Sequence, residues 1–266
     1  MSSSDRPHAT SWARREAGEV YEQGRPGYPR AAGALLVEHL RLRSGSRVAD
    51  VAAGTGKLTR LLAEAVPGQI VAVEPMAGMR AQLTAQSPGI AVMAAGVERL
   101  PLASGSLDAV TVAQAFHWFD VPTASAELAR VLRPSGKLAL VTNRPDHTTT
   151  WQADLWATLR RYEVLAPRPA TTRGWRQALD ATGDFTAFER FEISHRQAFT
   201  TRDAFEARFG SISHVLLLEP ATRRQLFGEL HAIVAGQDQV VIALTTVIEI
   251  ASVASASAPF RSTGRP

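Results

Sequence analysis

Two carboxylates and two glycines carry the most chemistry in this chain. Asp50 lies in the apolar run Arg47-Val48-Ala49-Asp50-Val51, Gly54 and Gly56 follow at once, and Glu74 closes a second run, Ile70-Val71-Ala72-Val73. The order reads as strand, glycine turn, helix, strand, acid. Small residues from Ala52 to Gly56 let the backbone approach a ligand closely, and an acid ending the second strand can grip a ribose diol. A nucleoside uses both features.

The turn decides which nucleoside. A dinucleotide fingerprint needs Gly-x-Gly-x-x-Gly, with its last glycine closing helix against strand and helix amides facing a pyrophosphate. Thr59 occupies that last position. Asp50, expected where strand meets loop, repels a pyrophosphate and attracts a cation, so a sulfonium with a free amino group suits it better. The phosphate-loop pattern fails as well: one residue separates Gly54 from Gly56-Lys57 where four are required, so Lys57 is no evidence for ATP. The glycines, read alone, would also serve a plain strand-to-helix turn.

The elements that must position these groups follow from periodicity. Between residues 34 and 143, short β-branched runs alternate with amphipathic stretches, the signature of βαβ units around a parallel sheet. Strands are expected at Arg47 to Ala52, Gln69 to Glu74, Ile90 to Ala95, Leu107 to Ala113 and Gly136 to Asn143. Leu58, Leu61, Leu62 and Ala65 fall on one helical face, as do Ala124, Leu128, Val131 and Leu132. Pro75 suits the first turn of a helix. Past residue 145 the rhythm changes: helical stretches at about 151–163, 173–181, 201–211 and 220–235 are interrupted by strand-like runs from Phe188 to Phe199 and Gln239 to Ile250. These read as the last, partly antiparallel strands of the same sheet, with helices over its open edge.

Composition narrows the class. At 266 residues, 45% hydrophobic and 20% charged, the chain suits one large α/β domain. The formal charge is +4 and no block of five or six basic residues occurs, which argues against nucleic acid as a partner. Cysteine is absent and the seven histidines are scattered, so neither disulfides nor a metal are expected. Residues 1–12 lack a signal peptide's apolar stretch and no window suggests a membrane span, giving a cytoplasmic protein, monomer or homodimer, as the expectation.

From about Tyr21 to Asp146 the chain resembles the class I S-adenosylmethionine-dependent methyltransferases, most closely the small-molecule group similar to trans-aconitate methyltransferase, with a type 11 domain. The residues carrying the likeness are Tyr21-x-x-x-Arg25-Pro26-x-Tyr28-Pro29, Asp50-x-Ala52-Ala53-Gly54-Thr55-Gly56-Lys57-Leu58-Thr59, Val73-Glu74-Pro75-x-x-x-Met79, Leu100-Pro101-Leu102, Ser106-Leu107-Asp108-Ala109-Val110, Ala113-Gln114-Ala115-Phe116-His117-Trp118-Phe119 and Leu132-Arg133-Pro134-x-Gly136. The resemblance implies an α/β, Rossmann-like sheet of seven mostly parallel strands in the order 3-2-1-4-5-7-6. Strand 7 is antiparallel, helices cover both faces, and a helical lid is added. It implies a methyltransferase domain at 21–250, while the polar N-terminus at 1–20 and the Ala/Ser-rich tail at 251–266 offer little apolar surface and are expected to be flexible. Within the domain it implies a cofactor core at 34–146 and a substrate lid at about 148–235, inserted before and between the last strands.

The same resemblance assigns S-adenosylmethionine as cofactor. The loop from Asp50 through Ala52 and Gly54 to Gly56 would hold the methionine portion, with Tyr21 and Arg25 nearby, and Glu74 would take both ribose hydroxyls. Met76 and Met79 would pack near adenine, the Gly96 and Val97 backbone would meet its edge, and Ala113 with Gln114 would flank the sulfonium. Many relatives place an acid where this chain has Gly96, which turns attention to Glu98, and glycine where it has Ala52.

For the acceptor, Tyr28, His117, Trp118 and Arg144 are the candidate contacts, with His147 beside Arg144. Trp118 can offer a ring face to the sulfonium. His117 is the candidate catalytic base for a phenol, alcohol or activated carbon, whereas a carboxylate needs no base and would pair with Arg25 or Arg144. The expected function is methyl transfer to a small organic acceptor through its carboxylate, hydroxyl or carbon. Two alternatives are a non-methylating binder of the cofactor, a sensor or pericyclase, and an NAD(P)-dependent oxidoreductase.

Overall fold

Val48, Ala49, Asp50 and Val51 are all buried, so β1 (Arg47–Val51) faces protein on both sides, as a central parallel strand must. The computed structural model, which describes residues 15–65, 69–165 and 174–254, sets it in a seven-stranded sheet. The others are β2 (Gln69–Val73), β3 (Ala91–Met93), β4 (Leu107–Ala113), β5 (Leu132–Pro145), β6 (Glu189–Phe199) and β7 (Val240–Ser252). The order is β3-β2-β1-β4-β5-β7-β6. β1 to β5 pair in parallel, and β7 runs antiparallel to both β5 and β6, as expected.

Two apolar layers clothe the sheet. One face packs against α5 (Val121–Val131) and Leu179 of α7 (Trp175–Thr182). The other packs against α2 (Arg30–His39) and α3 (Lys57–Ala65), through Ala32, Leu36, Leu58 and Leu62. A third core lies apart from both. It gathers Leu155, Leu159 and Tyr162 of α6 (Thr150–Glu163), Phe205 and Phe209 of α8 (Arg202–Gly210), Val215 of α9 (Ser213–Leu216), and Leu226 and Leu230 of α10 (Pro220–Val234). These helices rest on Ile242 and Leu244 near the start of β7.

Several expectations shift in detail. Helix α1 (Arg15–Gly24) begins inside the stretch expected to be flexible up to residue 20. It is built for close approach: a Cβ on Gly18 would lie 2.6 Å from the carbonyl oxygen of Gly78, in α4 (Ala77–Gln86), and one on Gly24 would lie 2.0 Å from that of Ala207. The rest of the expected flexible N-terminus, residues 1–14, and the tail from 255 lie outside the described residues. Pro75 does not sit in a first turn. It precedes Met76, the N-cap of α4, so its missing amide falls before the helix. The fifth strand, β5, expected to begin at Gly136, also takes in Arg133, Pro134 and Ser135 as a register irregularity: pairing passes from Leu107 opposite Leu132 to Ala109 opposite Lys137, with Ser135 at φ 64°. Ala65, expected on the apolar face of α3, is exposed at its last position.

Candidate active site

The chain order reverses between β1 and β4, and at their carboxyl ends the backbone adopts conformations that side chains resist. Ala52 (φ 55°), Gly54 (59°) and Gly56 (85°) follow β1, and Gln114 (57°) follows β4. Left-handed backbone costs a residue with a Cβ about 1 kcal/mol or more, and such residues gather where function holds them. The turn is pinned by the Ala53 N–H donating to the Val73 carbonyl at 3.1 Å and the Gly56 N–H to the Ala53 carbonyl at 2.9 Å. Gly56 faces the protein, since a Cβ there would press on Leu83 Cγ at 2.9 Å. Gly54 faces open space, with Tyr21 Cε1 its nearest neighbour at 4.0 Å.

The two carboxylates play different parts. Asp50 is wholly buried beneath the turn and lines neither of the cavities described below, contrary to the expectation that it faces a cation. Its oxygens accept from Thr59 Oγ1 at 2.6 Å and Thr111 Oγ1 at 2.8 Å. Burial pushes its carboxyl up to about 6, opposed by those hydrogen bonds. Thr59, the residue that spoils the dinucleotide pattern, is therefore half of this internal clamp. Glu74 stands at the cavity wall. Gly54 N–H donates to its Oε2 and Met76 N–H to its Oε1, both at 2.8 Å, which fixes the carboxylate and leaves acceptor capacity on each oxygen. Burial raises it to about 7, against the pull of those two amides and of Arg80.

Two cavities meet at this point. The first, about 230 Å³, is bounded by Glu74, Met76, Met79, Gly96, Val97, Glu98, His117 and Trp118. The second, about 340 Å³, is bounded by Ala53, Thr55 and Lys57 of the glycine turn, Tyr28, Asn143, His147, Trp156, Leu159 and Arg208. Tyr21, Arg25, Ala52, Gly54, Ala113 and Gln114 line both. Eleven of the thirteen expected cofactor residues thus lie on the smaller cavity, with Asp50 and Gly56 behind its wall.

The expected acceptor contacts divide. Tyr28 lines the larger cavity, while His117 and Trp118 line the smaller one, their rings 4.7 Å apart. Burial, aided by Arg25, lowers His117 to about 4, so it is a neutral and weak base at physiological pH. Arg144 is a correction. It is exposed and borders neither cavity, because alternation along β5 turns Asn143 and Pro145 inward instead. His147, two residues on, does reach the larger cavity.

Helices α6 and α8 supply residues that the sequence reading missed. Arg208 is 5% exposed, with its guanidinium 5.5 Å from the Trp156 ring centre and 5.4 Å from that of Phe209. Its signal was Phe205-x-x-Arg208-Phe209, a cation within the apolar stripe of a helix. Arg25 ties this region to the N-terminus through a 3.1 Å bond from Nε to the Ser211 carbonyl. Lys57 donates to the Glu22 carbonyl at 2.7 Å and, with Arg60, pairs with the Glu22 carboxylate, holding α1 to α3.

Comparison with known proteins fits this geometry. Residues 49–140, which run from β1 into β5, match the family described as a methyltransferase domain. This stretch is similar to that domain, and the chain matches less than two thirds of the length of the curated relatives. An uncharacterized methyltransferase of Mycobacterium tuberculosis is 41% identical over 159 residues, covering 58% of this chain and 63% of the relative. A solved structure from Anaeromyxobacter dehalogenans, provisionally named a type II methyltransferase, superposes with a TM-score of 0.62 at 27% identity, over 86% of this chain and 97% of that one. The fold also matches phosphoethanolamine N-methyltransferase 2 of Haemonchus contortus, solved with phosphomonomethylethanolamine and S-adenosylhomocysteine. That likeness has a TM-score of 0.55 at 14% identity, over 95% of this chain and 59% of that one. Among the described residues no helix is long and apolar enough to cross a membrane.

Proposed function

We propose that the protein transfers the methyl group of S-adenosylmethionine to a small organic acceptor. The observation that carries this reading is Glu74: a carboxylate pinned by two amides at the wall of a nucleoside-sized cavity, with oxygen lone pairs left over for a ribose diol. The match of residues 49–140 to a methyltransferase-domain family supports it. So do Gly54, whose missing side chain leaves room for a ligand, and Thr55 Oγ1, a buried hydroxyl without a partner on the glycine turn.

In this reading Glu74 holds the ribose, Met76, Met79 and Val97 sandwich the base, and Glu98 or backbone groups meet its amino edge in place of an acid at Gly96. Tyr21, Arg25, Ala52 and Gly54 hold the amino-acid end, and Ala113 with Gln114 border the junction of the two cavities, where transfer occurs. The bound cofactor supplies an electrophilic methyl on sulfur. The protein's task is then alignment and exclusion of water, holding both partners at about 3 to 3.5 Å. Helices α6, α8 and α9 act as the acceptor lid. The finer likeness to trans-aconitate methyltransferase belongs to this proposal too.

His117 fits a packing role better than a base, since a group titrating near 4 gives little driving force for proton removal at pH 7. His117→Ala is expected to slow turnover less than threefold, and a loss of 100-fold with chemistry rate-limiting would restore the base. The function itself is tested by calorimetry with S-adenosylhomocysteine and NADH, then by a screen of acids and phenols with radiolabelled methyl donor. Binding of the sulfur nucleoside alone and label in product are expected. NADH binding instead would mark an oxidoreductase, and nucleoside binding without transfer to any acceptor would mark a sensor or pericyclase.

A further inference from the structure

The two cavities differ in charge. The nucleoside cavity is bordered by Arg25 against Glu74 and Glu98, whereas the larger one is bordered by Arg25, Lys57, Arg160 and Arg208 against Glu163. Lys57 is already committed to Glu22, and Arg160 is exposed. Arg208 is neither. Its Nε and Nη1 are buried with no hydrogen-bond partner, and the ionisable groups that act on it are Arg25, of like charge, and Tyr21. Trp156, whose ring lies beside the guanidinium, also buries its Nε1 without a partner. Both side chains border the same cavity.

A buried cation facing another cation is costly until an anion joins it. Here the aromatic rings of Trp156 and Phe209 hold the guanidinium in place while its donors go unused. Burial together with Arg25 lowers Arg208 to about 9, in keeping with a site that lacks its counter-ion.

From these orphaned donors we infer that Arg208 and Trp156 form an anchor for an oxyanion of the methyl acceptor, a carboxylate or phosphate lying in the larger cavity. The assignment to the acceptor rests on the proposed transfer reaction. It also rests on position, because Arg208 borders the acceptor cavity alone whereas Arg25 borders both. An acidic acceptor then enters the basic cavity while a sulfonium occupies the acidic one, so each ligand meets the opposite charge.

The test is thermal unfolding of the full chain at fixed ionic strength with benzoate, phenyl phosphate or benzamide, each with and without saturating S-adenosylhomocysteine. Benzoate or phenyl phosphate is expected to raise Tm by several degrees and benzamide by less than one. The larger response of the two acids identifies the headgroup. Arg208→Gln should abolish the response, Arg208→Lys should retain part of it, and Trp156→Phe, which removes the N–H and keeps the ring, should weaken anion affinity about fivefold. Affinity for S-adenosylhomocysteine should change less than threefold in all three. Equal responses to benzamide and the acids, or an undiminished response in folded Arg208→Gln, would overturn the anchor. Parallel loss of nucleoside binding would give Arg208 to the cofactor's own carboxylate and overturn the acceptor assignment. Should the wild type bind no S-adenosylhomocysteine yet answer the acids through Arg208, the transfer reading fails and the anion site stands.

Discussion

The smaller cavity, where the nucleoside is proposed to bind, and the larger cavity beside it share six residues and differ in how they are built. The first is walled by loops leaving parallel strands. Its key acid is already satisfied by the Gly54 and Met76 amides, and none of the buried, unpartnered polar atoms among the described residues lies on a residue bordering only it. The second is closed by helices with their own core, and there Arg208, Trp156 and Thr55 keep buried polar atoms unused. A pre-satisfied wall suits one ligand held the same way in every turnover. A wall of idle donors suits a partner that brings its own acceptors.

That contrast breaks first at Glu74. Glu74→Ala removes two charge-assisted contacts, each about 1.5–3 kcal/mol, so affinity for S-adenosylhomocysteine should fall at least 100-fold by calorimetry while the response to acidic probes persists. Joint loss of both would make the cavities one site. The next effect is structural. Gly56→Ala sets a Cβ against Leu83 at φ 85° and should cost about 2–3 kcal/mol by denaturant unfolding; a cost below about 0.5 kcal/mol would deny the turn its rigidity.

The contrast also has a pH signature. In the proposed binding mode ribose hydroxyls donate, so the nucleoside would select the ionised form of Glu74, which burial raises to about 7. Its dissociation constant should be flat above pH 8 and rise toward tenfold per unit as pH falls below 7. A profile flat from pH 5.5 to 8 would remove the carboxylate from the contact. Smallest of all, Ala52→Gly relieves a left-handed alanine and should stabilise the protein by about 0.5–1 kcal/mol, less than the strain because glycine loses more freedom on folding. A destabilisation of similar size would show that the methyl group packs usefully.

The same divide governs what could be read from sequence. β4 runs from Leu107 to Ala113, as its apolar run suggests, because central parallel strands are apolar on both faces and bounded by turns. β1 stops at Val51 because Ala52 turns left-handed, which alanine does not announce. β3 shrinks to Ala91–Met93 at the sheet edge, where it pairs with β2 alone. Helix α1 was illegible since Gly18 and Gly24 look like breakers, and their purpose lies in distant contacts with Gly78 and Ala207. Arg208 was hidden for a related reason. Local spacing marks it as odd on an apolar face, but only tertiary packing tells whether a carboxylate answers it.

The contacts of α1 also bear on how this protein can be divided. Residues 49–140 retain the whole glycine turn and Glu74 but forfeit Tyr21, Arg25, and the wedge of Gly24 against Ala207. A fragment trimmed to the recognisable stretch would have a binding floor with no ceiling. Even a short deletion through residue 24 would remove the strap that joins α4, through Gly78, to α8, through Ala207.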